Sequence, residues 1–179
     1  MDALKKYSIT IFDGKAIDDS MEDELMNIEN SCFEEAIRET WESKKELIQD
    51  SIIAVFAKND GYIGEGYLSN EESGDMGDEG HTDTIHLAEV FSKMKSENGL
   101  YFMSFAVLPE HWGGGIGKEI VKTALSAAKE KGFSCVYSHA NSGASEHIFK
   151  SIGGVFLEKR ENWFDTGNTH SLYRIPLDD

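Results

Sequence analysis

Cysteine, proline and long apolar runs are all scarce in this chain. Two cysteines and two prolines occur among 179 residues, too few for a disulfide framework or a proline-rich linker. No apolar run approaches the ~20 residues of a membrane-spanning helix, and the start MDALKKYSIT lacks the apolar core of a signal peptide. These absences predict a cytoplasmic protein without a membrane partner. We expect one domain over residues 1–179, with buried free thiols at Cys32 and Cys135.

Positive charge is scarce as well. The net charge of −16 argues against a nucleic-acid partner, because binding a phosphate backbone requires clustered Lys and Arg. The acidic excess is uneven, since residues 1–98 carry 24 acidic and 9 basic side chains whereas residues 99–179 carry 9 and 8. The first part could attract a cationic partner, although a solubilising surface explains the same excess.

The spacing of the apolar residues predicts alternating strands and helices. Strands are predicted at 7–12, 52–57, 62–68, 100–108, 133–138, 155–164 and 170–175, and helices at 20–37, 44–49, 87–94, 116–131 and 145–152. Ser20 is the expected N-cap of the first helix. Residues 69–80 have little apolar surface and are predicted to form a mobile acidic loop. The order of elements predicts an α/β (α+β) fold with a mixed, mostly antiparallel sheet and helices on both faces.

A glycine-rich loop lies between the predicted strand 100–108 and the predicted helix that follows it. Residues 107–118 read VLPEHWGGGIGK, and glycine lets backbone N–H groups turn toward one point near a helix N-terminus. That arrangement predicts a phosphate or pyrophosphate site, with a ligand-free turn as the alternative. The spacing excludes a nucleoside-triphosphate loop, because Trp112 and Glu119 stand where Gly and Ser or Thr are needed. The dinucleotide fingerprint also lacks its last glycine.

The same loop resembles the acyl-coenzyme A loop of the acetyltransferase superfamily abbreviated GNAT. The resemblance rests on Val107, Pro109, Gly113, Gly115 and Gly117. It continues downstream, where Asn141, Ala144 or Ser145, Ile152 and Gly153 match a second family motif. Trp112 departs from the family pattern, which has Arg or Gln there. The resemblance covers residues 99–155, and residues 1–98 match in element order alone.

The resemblance implies an enzyme that transfers acetyl from acetyl-coenzyme A to a primary amine by direct attack in a ternary complex. Residues 99–155 would bind the cofactor, 1–98 would shape the acceptor side and 156–179 would supply closing strands. The implied acceptor is a small-molecule or protein amine, and a homodimer is left open. The acidic charge of residues 1–98 favours a cationic acceptor. The implied cofactor contacts are Phe105, Ala106, Val107, Trp112, Gly113, Gly114, Gly115, Ile116, Gly117, Lys118, Asn141 and Phe149.

The catalytic groups are less well defined. The family's usual proton-donating tyrosine falls on Ile148 or Phe149, neither of which can donate a proton, so water, Ser145 or Tyr137 are the substitutes. Tyr101 and Glu65 are the candidate bases. Tyr101 is alternatively a core aromatic residue, and Glu65 an exposed strand residue.

Other side chains carry weaker signals. His81 and His86 lie five residues apart, a spacing that does not place them on one helical face, so no metal site is expected. Trp41, Trp163 and Tyr173 are candidates for an acceptor pocket, although core packing is their alternative. A second functional hypothesis is a non-catalytic module that binds acyl-coenzyme A. Under that hypothesis, the absence of the family's proton-donating tyrosine reflects a loss of catalytic activity.

Overall fold

The computed structural model describes residues 7–71, 81–141 and 143–177, and within them one sheet has seven strands. The strands are β1 (Ser8–Phe12), β2 (Ile53–Asn59), β3 (Gly61–Ser69), β4 (Gly99–Val107), β5 (Cys135–Asn141), β6 (Val155–Arg160) and β7 (His170–Pro176). The helices are α1 (Glu22–Cys32), α2 (Trp41–Asp50), α3 (Thr82–Ser96), α4 (Ile116–Glu130) and α5 (Ala144–Ser151). The strand order across the sheet is β1-β2-β3-β4-β5-β7-β6.

Most neighbouring strands are antiparallel, and β4 and β5 form the parallel pair. A parallel pair needs a crossover connection, which α4 supplies between β4 and β5. The predicted α/β (α+β) class, with a mixed and mostly antiparallel sheet, is confirmed. The predicted order of strands and helices is the order observed.

A bulge in β4 separates two parts of the sheet. Tyr67 pairs with Ser104 and Leu68 pairs with Phe102, so Met103 is the extra residue on β4. A bulge bends its strand and increases the local twist. The parallel pairing of β4 with β5 ends at Tyr101, immediately before this bulge. The two strands therefore diverge from that point and leave a gap in the sheet.

The helices cover both faces of the sheet. On one face, called the α4 face, a Cβ atom added at Gly66 would lie 2.9 Å from the Ile120 side chain, which shows how closely α4 approaches β3. Phe105 packs near Phe149 of α5 on the same face. The opposite face, called the α1 face, carries α1, α2 and α3, and there Glu65 contacts Lys44 of α2.

Several predicted boundaries are wrong, including the start of α3, which is at Thr82 instead of residue 87. Local backbone geometry explains two others. The first helix begins at Glu22 and ends at Cys32 instead of spanning 20–37, and Phe33 is extended where the Arg38 guanidinium binds its carbonyl. Ser20 lies in the preceding 3-10 turn and does not cap α1. The strand predicted at 155–164 ends at Arg160, because Asn162, Phe164 and Asp165 adopt positive φ angles that a strand excludes.

Of the predicted acidic loop 69–80, residues 72–80 lie outside the described ranges. Across the described part of the chain, no helix combines the length and apolar composition needed to cross a membrane. Cys32 is half-buried and Cys135 is buried, and both are free thiols.

Candidate functional site

A cavity of about 360 Å³ lies at the gap where β4 and β5 diverge. Its walls come from the α1–α2 connection, from α3, from β4 and β5, and from the β6–β7 connection. These segments are far apart in sequence. They meet at the place where β4 and β5 no longer form hydrogen bonds with each other. The cavity therefore lies beside the bulge at Met103, where β4 and β5 no longer pair.

The end of β4 exposes backbone groups to this gap. Leu108 donates its N–H to the Ile63 carbonyl of the β3 side, and successive peptide groups of a strand alternate in direction. The peptide groups of Phe105 and Val107 consequently face the gap, whereas those of Ala106 face β3. The Val107 carbonyl accepts a hydrogen bond from Trp112 Nε1 at 2.6 Å and a weaker one from Cys32 Sγ at 3.4 Å.

The glycine-rich loop leads from β4 into α4. Gly113 and Gly115 both have φ of +80°, a conformation that L side chains rarely adopt, and open space surrounds the position of an added Cβ at each. Gly115 is the N-cap of α4 and brings no side chain to bind the first N–H groups of the helix. Those N–H groups and the helix dipole favour an anion at this point. The loop thus fits a diphosphate, with Gly114 exposed and Lys118 half-buried beside it.

Glu65 lies under the cavity in a buried ionic cluster. Its side chain is fully buried, and Lys44 Nζ lies 2.6 Å from Glu65 Oε1 and 2.8 Å from Glu29 Oε2. Tyr67 and Ser104 also donate hydrogen bonds to the Glu65 carboxylate. Although burial alone would lower it, the pKa of Lys44 is raised because two carboxylates surround the ammonium group. The alternative of an exposed strand residue at Glu65 is wrong.

Tyr101 lines the cavity on the α1 face, and its hydroxyl lies 2.5 Å from His139 Nδ1. Burial raises the pKa of Tyr101, so the phenol is protonated at neutral pH. Trp163 stacks on the His139 ring with centroids 4.1 Å apart. Burial lowers the pKa of His139 far below its usual range, and the neighbouring His86 lowers it further. The imidazole is therefore uncharged.

The remaining predicted residues divide between cavity and core. Asn141 lines the cavity, and its amide donates to Glu34 Oε1 at 3.3 Å. Phe149 is 1% exposed and packs with Phe105. Ser145 lines the cavity and donates its hydroxyl to the Asn141 carbonyl.

The tyrosine and tryptophan candidates also divide. Tyr137 is not among the residues that line the cavity, and its hydroxyl donates to Glu97, which precedes β4. Trp163 lines the cavity, whereas Trp41 packs against Lys45 and Tyr173 packs against Phe149 and Phe156.

Three histidines in this region carry no role in the sequence-based prediction. His86, His139 and His170 come from α3, β5 and β7 and meet around Trp163. His170 Nε2 is buried and makes no hydrogen bond to any residue that the structure describes. His86 and His139 are 53 residues apart in the sequence, and His139 and His170 are 31 apart, so no local sequence pattern could have predicted the cluster. Among the described residues, no group of three His, Cys, Asp or Glu side chains is arranged to hold a metal ion.

The comparisons with known proteins cover most of this chain. The model of the Acetyltransferase (GNAT) family matches residues 22–153. A putative acetyltransferase from Salmonella typhimurium, solved with acetyl-coenzyme A, is 14% identical with a TM-score of 0.66, covering 96% of this chain and 95% of its own. The ribosomal-protein-S18-alanine N-acetyltransferase from Escherichia coli is 11% identical with a TM-score of 0.64, covering 96% of each chain.

A GNAT acetyltransferase from Elizabethkingia anophelis, with acetyl-coenzyme A bound, is 13% identical with a TM-score of 0.60 and covers 96% of this chain and 99% of its own. No curated protein matches this sequence. At 11–14% identity, the structural similarity supports the fold alone. The assignment to a family rests on the match to the family model. Because the family model spans most of the sequence, the chain belongs to the acetyltransferase (GNAT) family.

Proposed function

We propose that this chain is an N-acetyltransferase that transfers acetyl from acetyl-coenzyme A to a primary amine, by direct attack within a ternary complex. The observation that carries the proposal is the gap between β4 and β5, bordered by the glycine-rich loop on one side and the cavity on the other. Much of the rate enhancement in such a reaction comes from positioning, worth about 7–11 kcal/mol in well-oriented model systems.

The cofactor would lie along the end of β4. Phe105 and Val107 would bind its pantetheine arm through their backbone, and the amides of residues 112–117 would bind its pyrophosphate, with Lys118 near a phosphate. Asn141 and Phe149 would border the thioester end. Acetyl-coenzyme A supplies the activated acyl group. The direction of the Ala106 peptide favours Phe105 and Val107 over Ala106 for the arm.

Tyr101 is the better placed of the two candidate bases. Tyr101 lines the cavity, and its hydroxyl is bonded to an uncharged imidazole that can accept a proton. Glu65 is fully buried and already accepts hydrogen bonds from Lys44, Tyr67 and Ser104. Glu65 would therefore act on the acceptor amine through the field of its cluster, with Ser104 between the cluster and the cavity.

Direct attack is favoured over an acyl-enzyme intermediate by the state of Cys32, the cysteine that lines the cavity. Burial, together with Glu65 and Glu29, raises the pKa of Cys32 to about 12. A protonated thiol is a poor nucleophile, and thiolate is the reactive form. The amine itself is then the attacking group.

A cationic acceptor is favoured by the charge of the cavity wall. Glu29, Glu34 and Glu39 line the cavity, and Arg38 is the cation among the α1–α2 residues that do so. Lys44 faces two buried carboxylates, which leaves the cluster with a formal charge of −1. Opposite charge raises the local concentration of a cationic substrate and its rate of encounter.

Two measurements test the proposal. Isothermal titration with acetyl-coenzyme A tests cofactor binding, and a thiol-release assay over a panel of small amines and peptide N-termini tests turnover. Binding with turnover supports the proposal, and a protein that ignores millimolar acetyl-coenzyme A contradicts it. Binding without turnover over the whole panel would instead favour a non-catalytic acyl-coenzyme A module, which agrees with the absence of a tyrosine at Ile148 and Phe149, the two candidate positions for the family's proton donor.

A further inference from the structure

A chain of hydrogen-bonding groups runs from the cavity to the surface beside β6. It begins with Tyr101 Oη, 2.5 Å from His139 Nδ1. His139 Nε2 lies 3.2 Å from His86 Nε2, and His86 Nε2 lies 3.4 Å from Glu158 Oε1. The Glu158 side chain is 44% exposed, whereas that of His86 is 9% exposed. The chain therefore joins the interior to solvent through four elements, β4, β5, α3 and β6.

We propose that His139 and His86 form a proton-exit relay that carries the proton of the acceptor amine from Tyr101 to the surface at Glu158. The inference rests on the proposed N-acetyltransferase function, because the amine must lose a proton when it becomes an amide. His139 and His86 touch no substrate in this scheme. They act through Tyr101, and Glu158 positions the charge at the end of the path.

The pairing of ring nitrogens fixes the tautomers. An uncharged imidazole has one N–H donor and one acceptor nitrogen. When Tyr101 donates to His139 Nδ1, the His139 proton is on Nε2 and is donated to His86 Nε2. His86 then carries its own proton on Nδ1. Each ring thus has an acceptor nitrogen on the cavity side, and His86 Nε2 can receive a proton from His139 and pass it to Glu158.

The transfer balances without any further reactant. The amine N–H bond breaks, its electron pair stays on nitrogen, and a new O–H bond forms on Tyr101. The original Tyr101 proton moves to His139 Nδ1, and the His139 Nε2 proton moves to His86 Nε2. His86 becomes an imidazolium ion and passes the new proton from Nε2 to Glu158 Oε1, 3.4 Å away, and Glu158 releases it to water. Tyr101 then gives its hydroxyl proton to the thiolate that acetyl transfer leaves behind and takes back the His139 Nδ1 proton. A proton from water returns through Glu158 and His86 Nε2 to His139 Nε2, which restores the starting tautomers.

The surroundings of the two rings suit them for passing a proton rather than keeping it. Burial lowers the pKa of both His139 and His86, so neither ring holds a charge at neutral pH. The groups that act on His86 are Glu158 and Arg160 of β6 and Glu89 and Asp83 of α3. The carboxylates favour its imidazolium form and Arg160 opposes it.

The groups acting on His139 differ. They are His86, His170 and Arg160, each of which disfavours its protonation. Positive charge is therefore better tolerated at His86, the outer end, than at His139.

The tautomers can be tested in the free protein without turnover. Long-range ¹H–¹⁵N spectra of the imidazole rings should show one of the two facing Nε2 atoms protonated and the other bare. Glu158→Gln should lower the pKa of His86, whereas the matched control Glu161→Gln, an exposed carboxylate in the turn after the same strand, should leave it unchanged. Two rings that both carry an Nε2 proton would overturn the relay, since they could not share one.

Kinetics supply the second test. His86→Gln keeps a hydrogen-bonding side chain but cannot become cationic, so kcat should fall by on the order of tenfold with KM unchanged. Added imidazole should restore part of kcat, and Glu161→Gln should behave like the unchanged protein. A variant with unaltered kcat and pH profile overturns the relay while leaving the acetyltransferase function intact. A protein that neither binds acetyl-coenzyme A nor turns over overturns the proposed function, and the relay, which rests on that function, fails with it.

Discussion

Gly115 is the residue on which the diphosphate-binding interpretation depends most directly. Its φ of +80° and its place at the N-terminus of α4 put an open backbone against the expected phosphates. Gly115→Glu introduces bulk and negative charge there, so affinity for coenzyme A should fall by on the order of 100-fold in isothermal titration.

Gly132→Glu is the matched control. Gly132 follows the other end of α4, has φ of +86° and is also surrounded by open space. Both variants therefore carry a similar backbone strain, about 1–2 kcal/mol for a left-handed residue, and differ in their distance from the proposed phosphates. Equal affinity in the two variants would refute the loop assignment.

Trp112 provides a reporter for the same site. It is 67% exposed and bonded to the Val107 carbonyl, whereas Trp41 and Trp163 are 8% and 6% exposed. Acrylamide should therefore quench mainly Trp112. We expect coenzyme A to protect this indole from quenching, because the pantetheine arm would occupy the adjoining end of β4. Protection that persists unchanged in Trp112→Phe would place the ligand elsewhere.

At the scale of single elements, one buried lysine links the α2 helix to the sheet. Lys44 is 1% exposed and bridges Glu29 of α1 and Glu65 of β3. Lys44→Met leaves two buried carboxylates without their cation, so the free energy of unfolding should fall by about 3–5 kcal/mol in urea titrations. Adding Glu65→Gln to that variant should recover part of the loss.

The adjacent lysine is the control for this prediction. Lys45 pairs with Asp19 at the surface, and 75% of the Asp19 side chain is exposed. Water screens such a pair, so Lys45→Met should lower the unfolding free energy far less. Comparable losses of unfolding free energy in the two variants would show that the buried cluster contributes no more to stability than the surface pair.

The sequence predicts the elements better than the contacts between them. Hydrophobic periodicity identified the seven strands and five α-helices that the structure describes, because each buries one face and repeats with its own period. It failed where the backbone turns for tertiary reasons, at the end of α1 and at residues 161–165. In the latter segment the Phe164 N–H binds Asp83 of α3, a contact 81 residues away.

The candidate site also has one part that the sequence predicts and another that it does not. The cofactor loop is contiguous, so its glycine spacing was readable in the sequence. The burial of Glu65 depends on Lys44, which lies 21 residues earlier, and the pairing of Tyr101 with His139 spans 38 residues. The bulge at Met103 has no glycine or proline to mark it. Contacts of this kind are set by how the elements pack and have no local signature.

At the scale of the whole molecule, buried histidines and surface carboxylates oppose each other as pH falls. Burial lowers the folded-state pKa of His86, His139 and His170 below the ordinary value of 6.5. The unfolded chain consequently binds more protons below about pH 6.5, and the folded state loses stability there. The net charge of −16 acts in the other sense, because protonating carboxylates relieves repulsion.

We expect the histidines to prevail between pH 7.5 and 5.5, where few carboxylates titrate. Each buried neutral histidine can lower the unfolding free energy by up to about 1.4 kcal/mol per pH unit below its unfolded pKa. Urea unfolding at the two pH values, with and without 0.5 M NaCl, separates the contributions, because salt screens exposed charges and leaves buried groups largely unaffected. The acid-induced loss should persist in salt and shrink in His170→Gln. Stability that stays level or rises on acidification would mean that these rings are protonated in the folded protein, which would also remove the neutral imidazoles that the relay requires.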